Sequence, residues 1–183
     1  MKHLPNLGHV DQLGYVVEDI TAGVEHWLHV MGVGPFFVMR GVGIDGAYEG
    51  DTPQPIAMDV AFSYLGDTQI ELIRPLGENP SPYRTFARAH GGNGLHHIAR
   101  FTDDYATDLA AIRRATGPVR LFHAATPAGR LAYIEGDQPD GPVLELVETN
   151  TMHELYTAIR DAVDTWDGTR PVREISPSGI PVD

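Results

Sequence analysis

Cysteine is absent from the 183-residue chain. That excludes disulfides, thiolate metal ligands and a cysteine nucleophile. A basic cluster is also missing. Acidic residues outnumber Lys and Arg by 25 to 13, for a formal charge of -12. Nucleic-acid binding rests on phosphate neutralisation, so this balance argues against it. It argues against an anionic membrane surface as well. No apolar run approaches the roughly 20 residues of a membrane span. The opening MKHLPNLGHV lacks the apolar core of a signal peptide. The expectation is a cytoplasmic protein whose partner is a small molecule.

What the chain does contain is an internal repeat. DQLGYVVED (Asp11 to Asp19) and HHIARFTDD (His96 to Asp104) are short strand-like runs, each ending in acidic residues. Helix-like patterns follow both, ITAGVEHWLHVMGV and YATDLAAIRRATG. QIELIRP (Gln69 to Pro75) then matches VLELVET (Val143 to Thr149), each with glutamate third and leucine fourth. FFVMRGVGI, IAMDVAFSYLG, VRLFHAAT and RLAYIEG fill the remaining strand positions. The coarse reading is βαβββ twice, an α+β chain with a mixed sheet. Asp19 and Asp104 fit as helix N-caps, Gly32 and Gly117 as helix ends.

Three stretches follow from this reading. Residues 1–90 hold the first module and a linker helix, 91–150 the second module, and 151–183 a C-terminal helix and tail. In TMHELYTAIRDAVDTW, Ile159, Val163 and Trp166 share a face, with Leu155 and Tyr156 beside it. That apolar face is expected to meet a partner subunit. The tail DGTRPVREISPSGIPVD reads as coil or as an arm lying on a neighbour.

The repeat pairs Gln12 with His97 and Glu71 with Glu145. Gln12 stands seven residues before Asp19, and His97 seven before Asp104. Pseudo-twofold packing would bring the four side chains to one point. Two carboxylates, an imidazole and an amide oxygen suit one divalent metal ion of the Zn, Mn, Co, Ni or Fe(II) kind. A lone strand histidine is ordinarily a hydrogen-bonded core residue. Four polar residues at equivalent places in apolar runs are another matter, since buried carboxylates are costly unless paired or cation-bound. Strand alternation makes His97 the ligand and turns His96 to the other face.

These residues resemble the vicinal oxygen chelate superfamily, which includes glyoxalase I, methylmalonyl-CoA epimerase, bleomycin-resistance proteins and extradiol dioxygenases. VDQLGYVVEDI, GDTQIELIRPLGENPSPYRTF, GGNGLHHIARFTDD and VLELVE carry the likeness, over roughly Val10 to Glu148, and point to the epimerase and glyoxalase branch. The resemblance implies paired βαβββ modules forming a cupped sheet, a homodimer, and metal ligands at Gln12, Glu71, His97 and Glu145. Many members carry His at the first ligand place, whereas animal-type glyoxalase I has Gln. Glyoxalases of that type place a glutathione-binding arginine four residues after the first ligand, where this chain has Val16. The absence of a second His at position 12 argues against extradiol oxygenase chemistry.

The expected activity is that of a metal-dependent isomerase, epimerase or lyase moving a proton next to a carbonyl. Glu145 is the first choice of base, Glu71 the second, and Asp59 in IAMDVAF a further one. Two alternatives stand beside it: a metal-free binding protein of the same fold, and a glyoxalase proper. Phe37, Arg40, Tyr48, Tyr83, Arg84, Arg100, His123 and Tyr133 are weaker candidates for a cavity lining. Among these, Arg100 is expected to face away from His97.

Overall fold

The structure is a computed structural model and describes residues 9–116, 120–126, 129–135 and 141–176. The elements run β1 (Gln12–Val16), α1 (Ile20–His29), β2 (Phe36–Ile44), β3 (Ala47–Glu49), β4 (Thr52–Pro53), β5 (Ile56–Leu65) and β6 (Thr68–Pro75). They continue with α2 (Pro82–Ala89), β7 (Gly94–Thr102), α3 (Tyr105–Thr116), β8 (Arg120–Thr126), β9 (Gly129–Glu135), β10 (Val143–Glu148), α4 (His153–Asp164) and β11 (Val172–Glu174). The two βαβββ modules are therefore β1-α1-β2-β5-β6 and β7-α3-β8-β9-β10, with β3 and β4 inserted into the first. The expected helix end at Gly117 lies outside the described residues.

Local sequence sets the helix starts. Asp19 accepts a hydrogen bond from the Ala22 amide at 2.9 Å, capping α1. Asp104 accepts one from the Thr107 amide at 3.3 Å at the start of α3. Ser81 does the same for Arg84 at 3.0 Å, with Pro82 as the first residue of α2. Such caps satisfy amides that have no partner within the helix.

One mixed sheet holds the strands in the order β11-β2-β5-β6-β1-β7-β10-β9-β8-β3-β4. Strands β1 and β7 join the modules antiparallel at its centre. Each is flanked by the last strand of its own module, running parallel: β6 beside β1 and β10 beside β7. Only Asp45 and Gly46 separate β2 from β3, yet β3 pairs with β8 at the far side of the sheet. The sheet must therefore curl into a cup.

Alternation divides the side chains between two faces. Beneath α1, the convex face buries Ile70 and Leu72 with Ile20, Val24 and Trp27. Beneath α3 it buries Ala132, Ile134 and Leu146 with Tyr105 and Ile112. The concave face carries Val16, Val60, Phe62, Tyr64, Ile73, Phe122 and Tyr133.

The C-terminal segment corrects two expectations. Ile159 of α4 is fully buried in the concave-face core of its own chain, with Leu155, Tyr156 and Val163 packed beside it. The helix face assigned to a partner subunit is thus already covered. Trp166 lies beyond the helix, against Gly34, and donates to the Thr169 carbonyl at 2.7 Å. Within the tail that reads as coil or an arm on a neighbour, Val172–Glu174 form β11, which pairs parallel with β2 from Val172↔Phe36 to Glu174↔Val38, and residues 177–183 lie outside the described residues. Among the described residues no helix is long and apolar enough to cross a membrane.

Candidate metal centre

Strand register brings the repeat's polar residues together. Glu71 lies beside Gly14, two residues after Gln12. Glu145 lies beside Ala99, two residues after His97. Across the modules Gln12 pairs with Ala99 and Gly14 with His97. The two modules thus repeat the same geometry around the β1–β7 seam. The residue two past each central polar one is small, which leaves space above the sheet.

His97 is the hub. Its Nε2 is 3.2 Å from Glu71 Oε2, 3.1 Å from Glu145 Oε2 and 3.3 Å from Gln12 Oε1. One donor atom from each of Glu71, His97 and Glu145 falls within 4.8 Å of the others. Relative exposure is 0% for His97, 2% for Gln12 and 4% for Glu145. Burial on its own would lower the His97 pKa, but the Glu145 and Glu71 carboxylates outweigh it and raise it to about 10. The pKa of Glu71 is raised, chiefly by burial, against the opposing pull of His97.

The donor set fits a divalent cation. Without one, two carboxylates share a single imidazole, and buried Glu145 Oε2 has the 3.1 Å ion pair to His97 Nε2 but no well-aligned hydrogen bond. A buried carboxylate oxygen left so is costly, and a cation is the usual remedy.

Residues around the hub orient it. Gln12 Nε2 donates to Gln69 Oε1 at 2.6 Å, and Gln69 Nε2 donates to the Tyr64 hydroxyl at 3.0 Å. This chain turns the Gln12 carbonyl oxygen toward His97. Gln69 stands two residues before Glu71, so strand alternation already placed it on the site's face. Gly14 lies under the His97 ring. A glycine inside a strand pattern marks such a close approach, and that was the signal for it.

His96 departs from expectation. The β1–β7 register jumps from Gly14↔His97 to Tyr15↔Leu95, leaving His96 as the extra residue of a β-bulge. A bulge cancels simple alternation. The His96 ring therefore packs on the site's side of the sheet, 5.3 Å from each of the Tyr83, Phe86, His97 and Tyr133 rings. Its Nδ1 is 3.0 Å from His97 Nδ1. Burial, aided by the His97 charge, lowers its pKa to about 3.

Asp59 is not brought to the site. It lies between Met58 and Val60 of β5, which face the cup, and so it points to the other side. There it accepts from Arg74 Nη1 at 3.1 Å and from the Gly41 amide at 2.9 Å. Gly41 sits where the β2–β5 register shifts, so Asp59 satisfies an amide that the ladder leaves free.

The weaker lining candidates divide. Tyr83 and Tyr133 are buried over the histidines, their hydroxyls 2.7 Å apart. Arg100 pairs with Asp108 of α3 at 3.7 Å, on the side away from His97. Arg40 bonds Glu174, Arg84 reaches the Pro75 and Gly77 carbonyls, and His123 stacks on Tyr48. Arg173 lies over the Phe37 ring. Phe101 and Phe62, which sequence reasoning did not single out, meet Tyr156 of α4 at 5.3 Å and 6.0 Å.

Paired βαβββ modules with polar residues meeting at the seam define a recognisable class of α+β protein. The chain belongs to the glyoxalase/bleomycin resistance protein/dioxygenase superfamily, whose sequence profile matches residues 11–133. None of the curated proteins matches the chain by sequence. Several solved structures share the fold. A hypothetical protein from Bacillus halodurans C-125 aligns with TM-score 0.55 at 19% identity, covering 78% of this chain and 94% of that one. Methylmalonyl-CoA epimerase from Mycobacterium tuberculosis gives 0.53 at 23%, covering 79% and 90%. A variant of the Streptomyces coelicolor methylmalonyl-CoA epimerase, in complex with 2-nitronate-propionyl-CoA, gives 0.54 at 20%, covering 79% and 96%.

Proposed function

We propose that the protein is a metal-dependent isomerase, epimerase or lyase that moves a proton next to a carbonyl of a small carbonyl or acyl substrate. The observation that carries this reading is the convergence of Glu71, Glu145 and Gln12 on His97 Nε2, two carboxylates against one buried imidazole. Gln12, Glu71, His97 and Glu145 would hold one divalent cation. Such a cation supplies Lewis acidity toward a carbonyl oxygen.

The chain's own residues supply the proton handling. Glu71 and Glu145 come from β6 and β10, on opposite sides of the β1–β7 seam. Two carboxylates so placed can take a proton from one face of a carbon and return one to the other. Glu145 is the base, and Glu71, across the β1–β7 seam from it, is placed to carry the returning proton. Asp59 has no part in this, because its carboxyl faces away and is bonded to Arg74. Tyr83 and Tyr133 are buried beside the carboxylates, with half-buried Tyr156 of α4 near them, and together they limit access of bulk water.

A glyoxalase role lacks support, because the place for a glutathione-binding cation is Val16, fully buried in the core. Acyl thioesters are the first substrate class to assay, followed by 2-hydroxy carbonyl compounds. A homodimer and a cytoplasmic location, expected from the sequence, stay part of the proposal. The dimer would use a surface other than the inner face of α4.

The test is Glu145→Gln, which keeps an oxygen donor and the volume but cannot accept a proton. Metal should remain bound while turnover falls about 10²-fold or more, the range for loss of a general base. Incorporation of solvent deuterium into substrate should fall in step. Exchange at the wild-type rate would place the base elsewhere.

A further inference from the structure

We propose that His96 is a positioning residue: it accepts a hydrogen bond from His97 Nδ1 and thereby fixes His97 in the tautomer that presents the Nε2 lone pair to a cation. The inference rests on the metal-site reading above and goes beyond its four ligands.

The two Nδ1 atoms are 3.0 Å apart, a hydrogen-bonding distance, and both rings are buried. Two imidazole nitrogens can bond only if one carries the proton and the other a lone pair. On the far side of the His97 ring, Nε2 faces two carboxylate oxygens and the Gln12 carbonyl oxygen. A cation at that point needs the Nε2 lone pair, so the His97 proton belongs on Nδ1. His96 Nδ1 is then the acceptor.

The backbone explains why a second histidine can reach this atom. In a regular strand the neighbour of His97 would point through the sheet. The bulge adds one residue and brings His96 back to the same side. Tyr83, Phe86 and Tyr133 then enclose its ring and hold it in one orientation. Partners of this kind on the second nitrogen of a ligating histidine set both tautomer and ring angle, and their loss costs metal affinity. Gln69 performs the matching task for Gln12, so each neutral donor of the site has one buried partner that chooses its ligating atom.

The test compares zinc affinity, by chelator competition, in wild type, His96→Leu and His96→Asn. Leucine fills the space without an acceptor. Asparagine offers a carbonyl oxygen near the place of Nδ1. His96→Leu should weaken zinc about 10- to 100-fold, and His96→Asn should return it to near the wild-type value. Nitrogen-15 spectra of the zinc-loaded wild type should show the proton on His97 Nδ1 and zinc on Nε2. The inference is overturned by wild-type affinity in His96→Leu, by equal weakening in both variants, or by zinc on His97 Nδ1. A nitrogen–nitrogen coupling between His97 Nδ1 and His96 Nδ1 in those spectra supports the inference even if a variant fails to fold, and its absence overturns it. Wild-type protein that takes up no zinc removes the metal reading and this inference together. Wild-type protein that binds zinc while His96→Leu binds equally well removes this inference alone.

Discussion

Gly14 lies directly beneath the imidazole of His97, and a Cβ at position 14 would fall inside that ring. The two residues are Cα partners across the central β1–β7 pair. A strand glycine is usually a weakness. Here it is the space in which the hub of the site sits.

Gly14→Ala therefore forces the His97 ring out of its place. Overpacking of this kind costs about 1–3 kcal/mol of stability. The melting temperature should drop and zinc affinity should fall with it. Ala99, which faces Gln12 across the same seam, already carries a Cβ. Wild-type zinc affinity in Gly14→Ala would mean that the ring is free to move, against the packing described.

Asp59→Asn should leave turnover within about twofold of wild type, because the residue is on the opposite face from the proton-transfer groups. The ion pair with Arg74 is lost, and a partly buried charge-assisted bond contributes about 1.5–3 kcal/mol. Urea unfolding should show the loss while steady-state kinetics do not. A turnover loss comparable to that of Glu145→Gln would return Asp59 to the list of bases.

Much of this arrangement was legible in the sequence, and the failures have physical causes. Equal spacing from Gln12 to Asp19 and from His97 to Asp104 located the seam, because both modules use one strand-to-helix turn. The glutamates at the third place of QIELIRP and VLELVET were readable for the same reason. The face of His96 was not, because a single bulge residue cancels period-two alternation and leaves no compositional mark. Asp59 could have been excluded, since Ile56, Met58, Val60, Phe62 and Tyr64 alternate on the face it does not share. Strands β3, β4 and β11 span three residues or fewer, too short for any periodicity. The apolar stripe of α4 was plain, but a stripe does not say whether its cover is another chain or the same one.

In metal-free protein the two histidines act on stability on opposite sides of pH 6.5. His96 has a folded pKa of about 3, below its ordinary 6.5. The unfolded chain thus binds its proton first as pH falls from 6.5, and stability declines by up to about 1.4 kcal/mol per pH unit. His97 has a folded pKa of about 10. Its contribution is complete below pH 6.5 and is lost as pH rises through 10. Urea midpoints across this range should show that His96→Asn flattens the acid side relative to wild type. His97→Asn should flatten the alkaline side. Curves parallel to wild type in both variants would contradict the two shifts.

Gln12, Glu71, His97 and Glu145 are proposed to form one cation site in each chain. Calorimetric titration of zinc into chelator-stripped protein, lacking any polyhistidine tag, tests it most directly. One site per chain is expected, with release of protons because His97 must give up its own. His97→Ala and Glu71→Ala should each abolish the site while the fold is kept. No zinc uptake by the folded wild type, or uptake unchanged in His97→Ala, would contradict it.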